Sequence, residues 1–133
     1  MGQDERSFCT WDGDCLDESD RVASANTWQG QFPVRNTEAD GYRYTSPVDA
    51  FDTTALGLQD MSGNVWEWTA SWKRSYERRD APLKPSEKRE RVLQGGSFIC
   101  DDCGGFFVFA RSGNSPRTSL FQVGFRCAKD PAR

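Results

Sequence analysis

Gly95-Gly96-Ser97-Phe98-Ile99-Cys100-Asp101-Asp102-Cys103-Gly104-Gly105-Phe106-Phe107-Val108-Phe109-Ala110-Arg111-Ser112-Gly113-Asn114-Ser115-Pro116-Arg117-Thr118-Ser119-Leu120-Phe121-Gln122-Val123-Gly124-Phe125-Arg126-Cys127 is the stretch on which the reading of this chain turns. Its ends have the regularity of strands and its middle does not. Glycine alone tolerates positive φ or a neighbour pressed against its Cα, so Gly95-Gly96-Ser97-Phe98 suits a strand entering a close backbone approach. Val123-Gly124-Phe125-Arg126 alternates as a closing strand does. Between the two lie a pair of cysteines, a Gly-Gly pair and a run of phenylalanines. Such a composition fits a thiol site that does chemistry, or a binding surface hung between two strands.

Working outward, the 133 residues make one domain, large enough for a core that requires neither disulfide nor metal. Hydrophobic content is only 36%, but five Trp and nine Phe supply large surfaces for burial, and the many Gly, Asp, Asn, Ser and Thr predict long irregular connections. The net charge of −3 argues against a nucleic-acid partner, which would require a basic face to neutralise phosphates. The chain has no histidine, which removes Ser-His and Cys-His nucleophilic pairs, HExxH zinc sites and imidazole acid–base catalysis. No apolar run approaches membrane-spanning length, and Met1 leads into charged residues rather than an apolar signal segment; a soluble chain without membrane span or signal peptide is expected. Five cysteines leave at least one thiol unpaired within a monomer.

Residues 1–24 read as an irregular, polar N-terminal arm and residues 25–133 as the domain proper. The arm's acidic cluster, Asp12, Asp14, Asp17, Glu18 and Asp20, lacks the spacing of an EF-hand loop and reads as solvated. Cys9 and Cys15 can pair with each other, or one of them can reach Cys127.

Two places in the domain collect oxygen donors. Asn26 and Asp40 sit in Gly- and Pro-punctuated loops with free backbone carbonyls, and calcium takes six to eight hard oxygens from such mixed sources. Taken singly, each is also an ordinary turn-forming residue. Glu67 lies between Trp66 and Trp68 in an alternating segment that reads as a strand. A carboxylate so close to a core must be paired or must bind a metal. With Asp60 and the carbonyls around Ser62-Gly63-Asn64 it would make a second oxygen cage; a salt bridge to an arginine is the alternative. Residues 73–91 are a charged, proline-broken excursion that reads as a solvated loop.

Asn26-Thr27-Trp28-Gln29-Gly30, Thr37-Glu38-Ala39-Asp40-Gly41-Tyr42, Pro47-Val48-Asp49-Ala50-Phe51, Gly63-Asn64-Val65-Trp66-Glu67-Trp68-Thr69, Arg91-Val92-Leu93-Gln94-Gly95-Gly96-Ser97 and Gly124-Phe125-Arg126-Cys127-Ala128 occur in that order. Over roughly residues 25–128 they resemble the C-terminal half of the formylglycine-generating enzyme family, the sulfatase-modifying-factor branch of the C-type-lectin-like fold. The resemblance implies an α+β fold of small antiparallel sheets, two short helices and many loops, with two structural calcium sites. Carried over by position, the first site would use Asn26, Asp40 and the carbonyls of Thr27 and Tyr42. The second would use Asp60, Glu67 and the carbonyls of Gly63 and Val65.

Two functions follow from two resemblances. In the enzymes a cysteine pair binds copper(I) and oxidises a substrate cysteine to formylglycine with oxygen; Ser97, Cys100 and Cys103 stand in the matching places, and Trp66 matches a tryptophan beside the oxygen site. This chain departs from that pattern: the cysteines are spaced Cys-x2-Cys, two residues short, Phe106-Phe107 replaces a Tyr-Arg pair, and the resemblance does not extend to the half that helps build the substrate groove. A Cys-x2-Cys still suits a soft ion, but a shortened loop would not place both sulfurs as in the enzymes.

The segment is also similar to variable proteins of diversity-generating retroelements, which use this fold for display and randomise adenines, turning AAY codons into NNY codons. Such codons cannot encode Lys, Gln, Glu, Trp or Met. None of the five occurs from Ile99 to Phe121, although together they make up about one in five residues before Ser97. The resemblance implies a calcium-stabilised binding domain that meets a protein or other macromolecule through Ile99, Asp101, Asp102, Gly104, Phe106, Phe107, Phe109, Ser112, Asn114, Arg117, Thr118 and Phe121. Exposed phenylalanines at a rim are what a binding patch presents. Core duty would then fall to Trp28, Trp66, Trp68, Phe98 and Phe125.

Overall fold

A computed structural model describes residues 25–53, 56–75, 77, 89–100 and 110–129, together with the backbone of residues 8–9 and 15–16. The centre is a strand, β5 (Trp66–Trp72), formed where the sequence alternates through Trp-Glu-Trp-Thr. It pairs antiparallel with β6 (Arg91–Gln94), which pairs antiparallel with β7 (Ser112–Asn114), while β8 (Val123–Gly124) lies on the other side of β5 and runs parallel to it. The expected small antiparallel sheets therefore hold for every described pairing but this one. β8 is reached after a long loop rather than a hairpin, and a long connection is what permits a parallel partner. The β5–β6 register shifts between Trp68 and Trp72, and Arg91 lays its guanidinium 3.7 Å from the Trp72 ring centroid there.

Two further pairs are two-residue strands: β1 (Phe8–Cys9) with β2 (Cys15–Leu16), and β3 (Gly30–Gln31) with β4 (Arg35–Asn36). The first falls in the N-terminal arm and sets the backbone of Cys9 opposite Cys15. Cys127 is an exposed thiol, so the alternative bridge from the arm to Cys127 is not formed. The expected short helices are not among the described residues, and most of the charged excursion at 73–91 also lies outside them.

Among the described residues the buried apolar ones are few: Ala25, Val92, Leu93, Phe98 and Cys100. Beside them Asn26, Thr27, Gln29, Ser46, Asn64 and Ser97 are buried too, because loops brought inside must satisfy their own backbone groups. Asn64 is the hub. Its Oδ1 accepts from Ser46 N at 3.1 Å and its Nδ2 donates to Ser46 O at 3.2 Å. Its own backbone N–H donates to Asn26 O and its carbonyl accepts from Phe98 N. Asn26 Nδ2 then donates to Tyr44 O at 2.7 Å, so four loops share one polar centre. Gly63 makes this approach possible: at φ +79°, a Cβ there would run into the Asn26 carbonyl. Gly95, at φ +91°, accepts at its carbonyl oxygen from Gly63 N at 2.7 Å, which accounts for the first glycine of the pair that opens the decisive stretch.

The aromatic core differs from expectation. Phe98 is buried, but Trp28, Trp66 and Trp68 are only half-buried, and Phe125 is 75% exposed. β8 ends at Gly124, packed against Val65, so the chain leaves the sheet before Phe125 and turns that ring outward.

Candidate functional site

The first group of oxygen donors is assembled by the loops at 26–29 and 40–42. Asp40 collects donors on both oxygens: Tyr42 N at 3.0 Å on Oδ1, and Thr27 N at 3.2 Å and Gln29 Nε2 at 3.0 Å on Oδ2. Gln29 Nε2 also donates to Thr27 O at 2.5 Å. Asn26 Oδ1 is buried and has no hydrogen-bond partner among the described residues. The four positions drawn from sequence, Asn26, Thr27, Asp40 and Tyr42, thus meet in one loop cluster. An orphaned amide oxygen in the same loop cluster as a carboxylate is chemistry that fits a hard cation.

The second group sits where β5 begins. Glu67 is gripped by Arg126 in a bidentate fork, Nε to Oε2 at 2.7 Å and Nη2 to Oε1 at 2.5 Å, and Nη2 also donates to Asp60 O at 3.0 Å. Asp60 Oδ2 is buried without a partner among the described residues. Burial raises the Asp60 carboxyl above its usual range, opposed by the Asn64 side chain and the Arg126 charge and assisted by the charges of Glu67 and Asp49. The salt bridge to an arginine that the sequence offered for Glu67 is formed, with Arg126 as the partner. Asp60, Gly63, Val65 and Glu67 share one segment leading into β5. Among the described residues no three acidic or cysteine side chains converge on one point, so either cage would draw on amide and backbone oxygens as well.

Ser97 and Cys100 form the third feature. Ser97 is fully buried and its Oγ lies 3.7 Å from Cys100 Sγ, while Trp66 packs against the small cluster of Ala25 and Cys100. Trp28 N donates to Cys100 O at 2.9 Å, fixing the turn that carries the sulfur. Cys103 lies outside the described residues, as do Asp101, Asp102, Gly104, Phe106, Phe107 and Phe109.

Of the segment after Ile99, itself half-buried, the described part divides in two. Ser112 and Asn114 belong to β7 and are half-buried, and Asn114 Oδ1 accepts from Ser115 N at 2.9 Å and Thr118 Oγ1 at 3.0 Å, fixing the next turn. Arg117, Leu120 and Phe121 lie outside, Phe121 at 73% exposure. Phe121 is not isolated. Its ring centroid is 5.9 Å from that of buried Phe98, and Phe98 meets exposed Tyr44 edge-on at 6.2 Å, so one aromatic row runs from core to surface.

Sequence reasoning passed over Gln29 and Arg126. Gln29 stands in a buried motif with no periodicity to mark it. The arginine had a signal, because a carboxylate between two tryptophans demands a partner and Arg126 lies in the last of the ordered motifs.

An irregular domain nucleated on one mixed sheet, with loops knotted through buried amides, is the C-type-lectin-like architecture. Residues 1–131 match the sulfatase-modifying factor enzyme 1-like domain, and the chain belongs to that family. It is 46% identical over 111 residues to the formylglycine-generating enzyme of Mus musculus, covering 80% of this chain and 30% of that protein. It is 34% identical over 157 residues to the inactive C-alpha-formylglycine-generating enzyme 2 of Bos taurus, covering 98% of this chain and 48% of that one. The chain thus spans less than half the length of these curated relatives. Among solved structures, Treponema denticola variable protein 1 superposes with a TM-score of 0.60 at 23% identity, over 81% of this chain and 36% of that one, which establishes the shared fold. Among the described residues no helix is long and apolar enough to cross a membrane.

Proposed function

We propose that this is a calcium-stabilised ligand-binding and display domain whose variable surface spans residues 99–121. The observation that carries it is the outward turn after β7. There Arg117, Leu120 and Phe121 face solvent while the backbone is held by Asn114, Val123 and the sheet. An exposed aromatic backed by a buried one is a rigid anchor of the kind binding hot spots use. The NNY-compatible composition from Ile99 to Phe121 and the fold shared with a variable protein support this reading. The partner is a protein or another macromolecule. Calcium at Asn26, Thr27, Asp40 and Tyr42, and at Asp60, Gly63, Val65 and Glu67, would tie the scaffold loops together by charge neutralisation.

A copper-dependent formylglycine-generating oxidase is the second reading, favoured by the buried Ser97–Cys100 contact against Trp66 and by the identity to the mouse enzyme. There Cys100 and Cys103 would hold copper(I) as thiolates and Ser97 would orient the first sulfur. The two readings separate on one assay. The domain, supplied with copper(I), oxygen and a cysteine-containing sulfatase-type peptide, is expected to leave the peptide unchanged by mass spectrometry. A formylglycine product that disappears in Cys100→Ser would make it an enzyme instead.

A further inference from the structure

Arg126 occupies both carboxylate oxygens of Glu67 and the backbone oxygen of Asp60 at once. These are the two residues whose side chains define the second cage. A calcium ion binds carboxylate oxygens at about 2.3–2.6 Å, often both oxygens of one group, and the fork already fills the space between them. The ion and the guanidinium repel each other as well, in a place half shielded from water where that repulsion is poorly screened. Glu67 shows 21% of its side chain and Arg126 39%.

Arg126 is also close to a weakly held strand. It follows β8 by two residues, and β8 is only Val123 and Gly124, paired to Trp66 and Glu67. The supporting bonds are Trp66 N to Gln122 O at 2.8 Å and Val123 N to Leu120 O at 3.1 Å. The fork therefore adds to what fixes residues 122–127, next to Phe121, whose ring is also backed by Phe98.

We propose that Arg126 is the resident cation of the second cage, and that calcium and Arg126 compete for Glu67. The inference rests on the calcium reading above. Filling that cage expels the guanidinium and loosens β8 and the Phe121 rim, whereas filling the first cage does neither. Linkage is reciprocal: a partner that clamps residues 120–127 with Arg126 in place weakens the second calcium by the same factor.

Calcium titration calorimetry on the protein and on Arg126→Gln tests this, with Arg126→Lys as the variant that keeps charge without the fork. The protein is expected to bind a first calcium and then a second at least about tenfold more weakly. Arg126→Gln should tighten the second step by about tenfold or more and leave the first unchanged, with Arg126→Lys between them. In the unsubstituted protein, amide exchange across 120–127 should accelerate only as the second step fills, a measurement that decides the matter if Arg126→Gln does not fold. An unchanged second step in Arg126→Gln, or exchange that slows or stays constant, overturns the competition while leaving calcium binding intact. No calcium bound by the protein or by Arg126→Gln overturns both.

Discussion

Asp60 shows how one side chain is held against its own preference. Its φ of +52° is the left-handed region, which Asp and Asn enter more readily than most side chains, but its carboxylate is partly buried with Oδ2 unpartnered among the described residues. The folded carboxyl titrates above its ordinary value of 3.8, chiefly because burial disfavours the charge. The folded state then binds the proton more tightly than the unfolded chain. Stability is therefore greatest below the unfolded value and declines as pH rises through the folded one, levelling off above it. Asp60→Asn removes the buried charge and keeps a side chain that suits the left-handed backbone. In calcium-free buffer it should raise the urea midpoint at pH 7 relative to the unsubstituted protein and flatten the acid-side pH dependence. In excess calcium the order should reverse, because Asn supplies one neutral oxygen in place of a carboxylate. Urea denaturation at both pH extremes, with and without calcium, measures all of this.

At the scale of elements, the sheet and the segment after β7 divide the labour between scaffold and surface. β6 buries Val92 and Leu93, and the turn after it buries Ser97 and Phe98, so these positions carry the framework. Truncating a buried aromatic costs about 3–5 kcal/mol, whereas exposed substitutions change stability by no more than about 0.5 kcal/mol each. A combined replacement of Arg117, Ser119 and Leu120 should therefore stay within about 1.5 kcal/mol of the original protein by chemical denaturation. Phe98→Ala should lose most of the stability alone, since it also removes the support of Tyr44 and Phe121. If the triple replacement unfolds the domain as readily as Phe98→Ala, residues 115–121 are framework and the display reading fails. Asn114 belongs with the scaffold despite its place in the variable span, because its side chain closes the turn to Thr118.

At the scale of the whole molecule, the described residues bury as many polar side chains as apolar ones, and bound ions would act on the loops that carry the polar ones. A cation that binds only the folded state adds about 3 kcal/mol at a hundredfold excess over its dissociation constant. In a domain of this size that corresponds to a shift in melting temperature on the order of 10 °C. Chelation should lower the melting temperature by about that amount, with Asp40→Ala losing most of the response. A melting curve insensitive to chelator, with no calcium by elemental analysis, would exclude the cages as ion sites.

What the sequence determined by itself is local or carried by recurrent motifs. The alternation at Trp66–Thr69 gave a strand, the glycines at 63, 95 and 96 all adopt positive φ, and the oxygen donors at Asn26 and Asp40 fall into one cluster. The ordered motifs were specific enough to reach the family. Tertiary structure alone decided the parallel pairing of β8, the exposure of Phe125, the burial of Gln29 and the capture of Glu67 by an arginine 59 residues away. Each of these depends on which distant segment arrives at a given place. Side-chain periodicity records only which way a residue points along its own strand, and Phe125 left its strand one residue too soon for that record to hold.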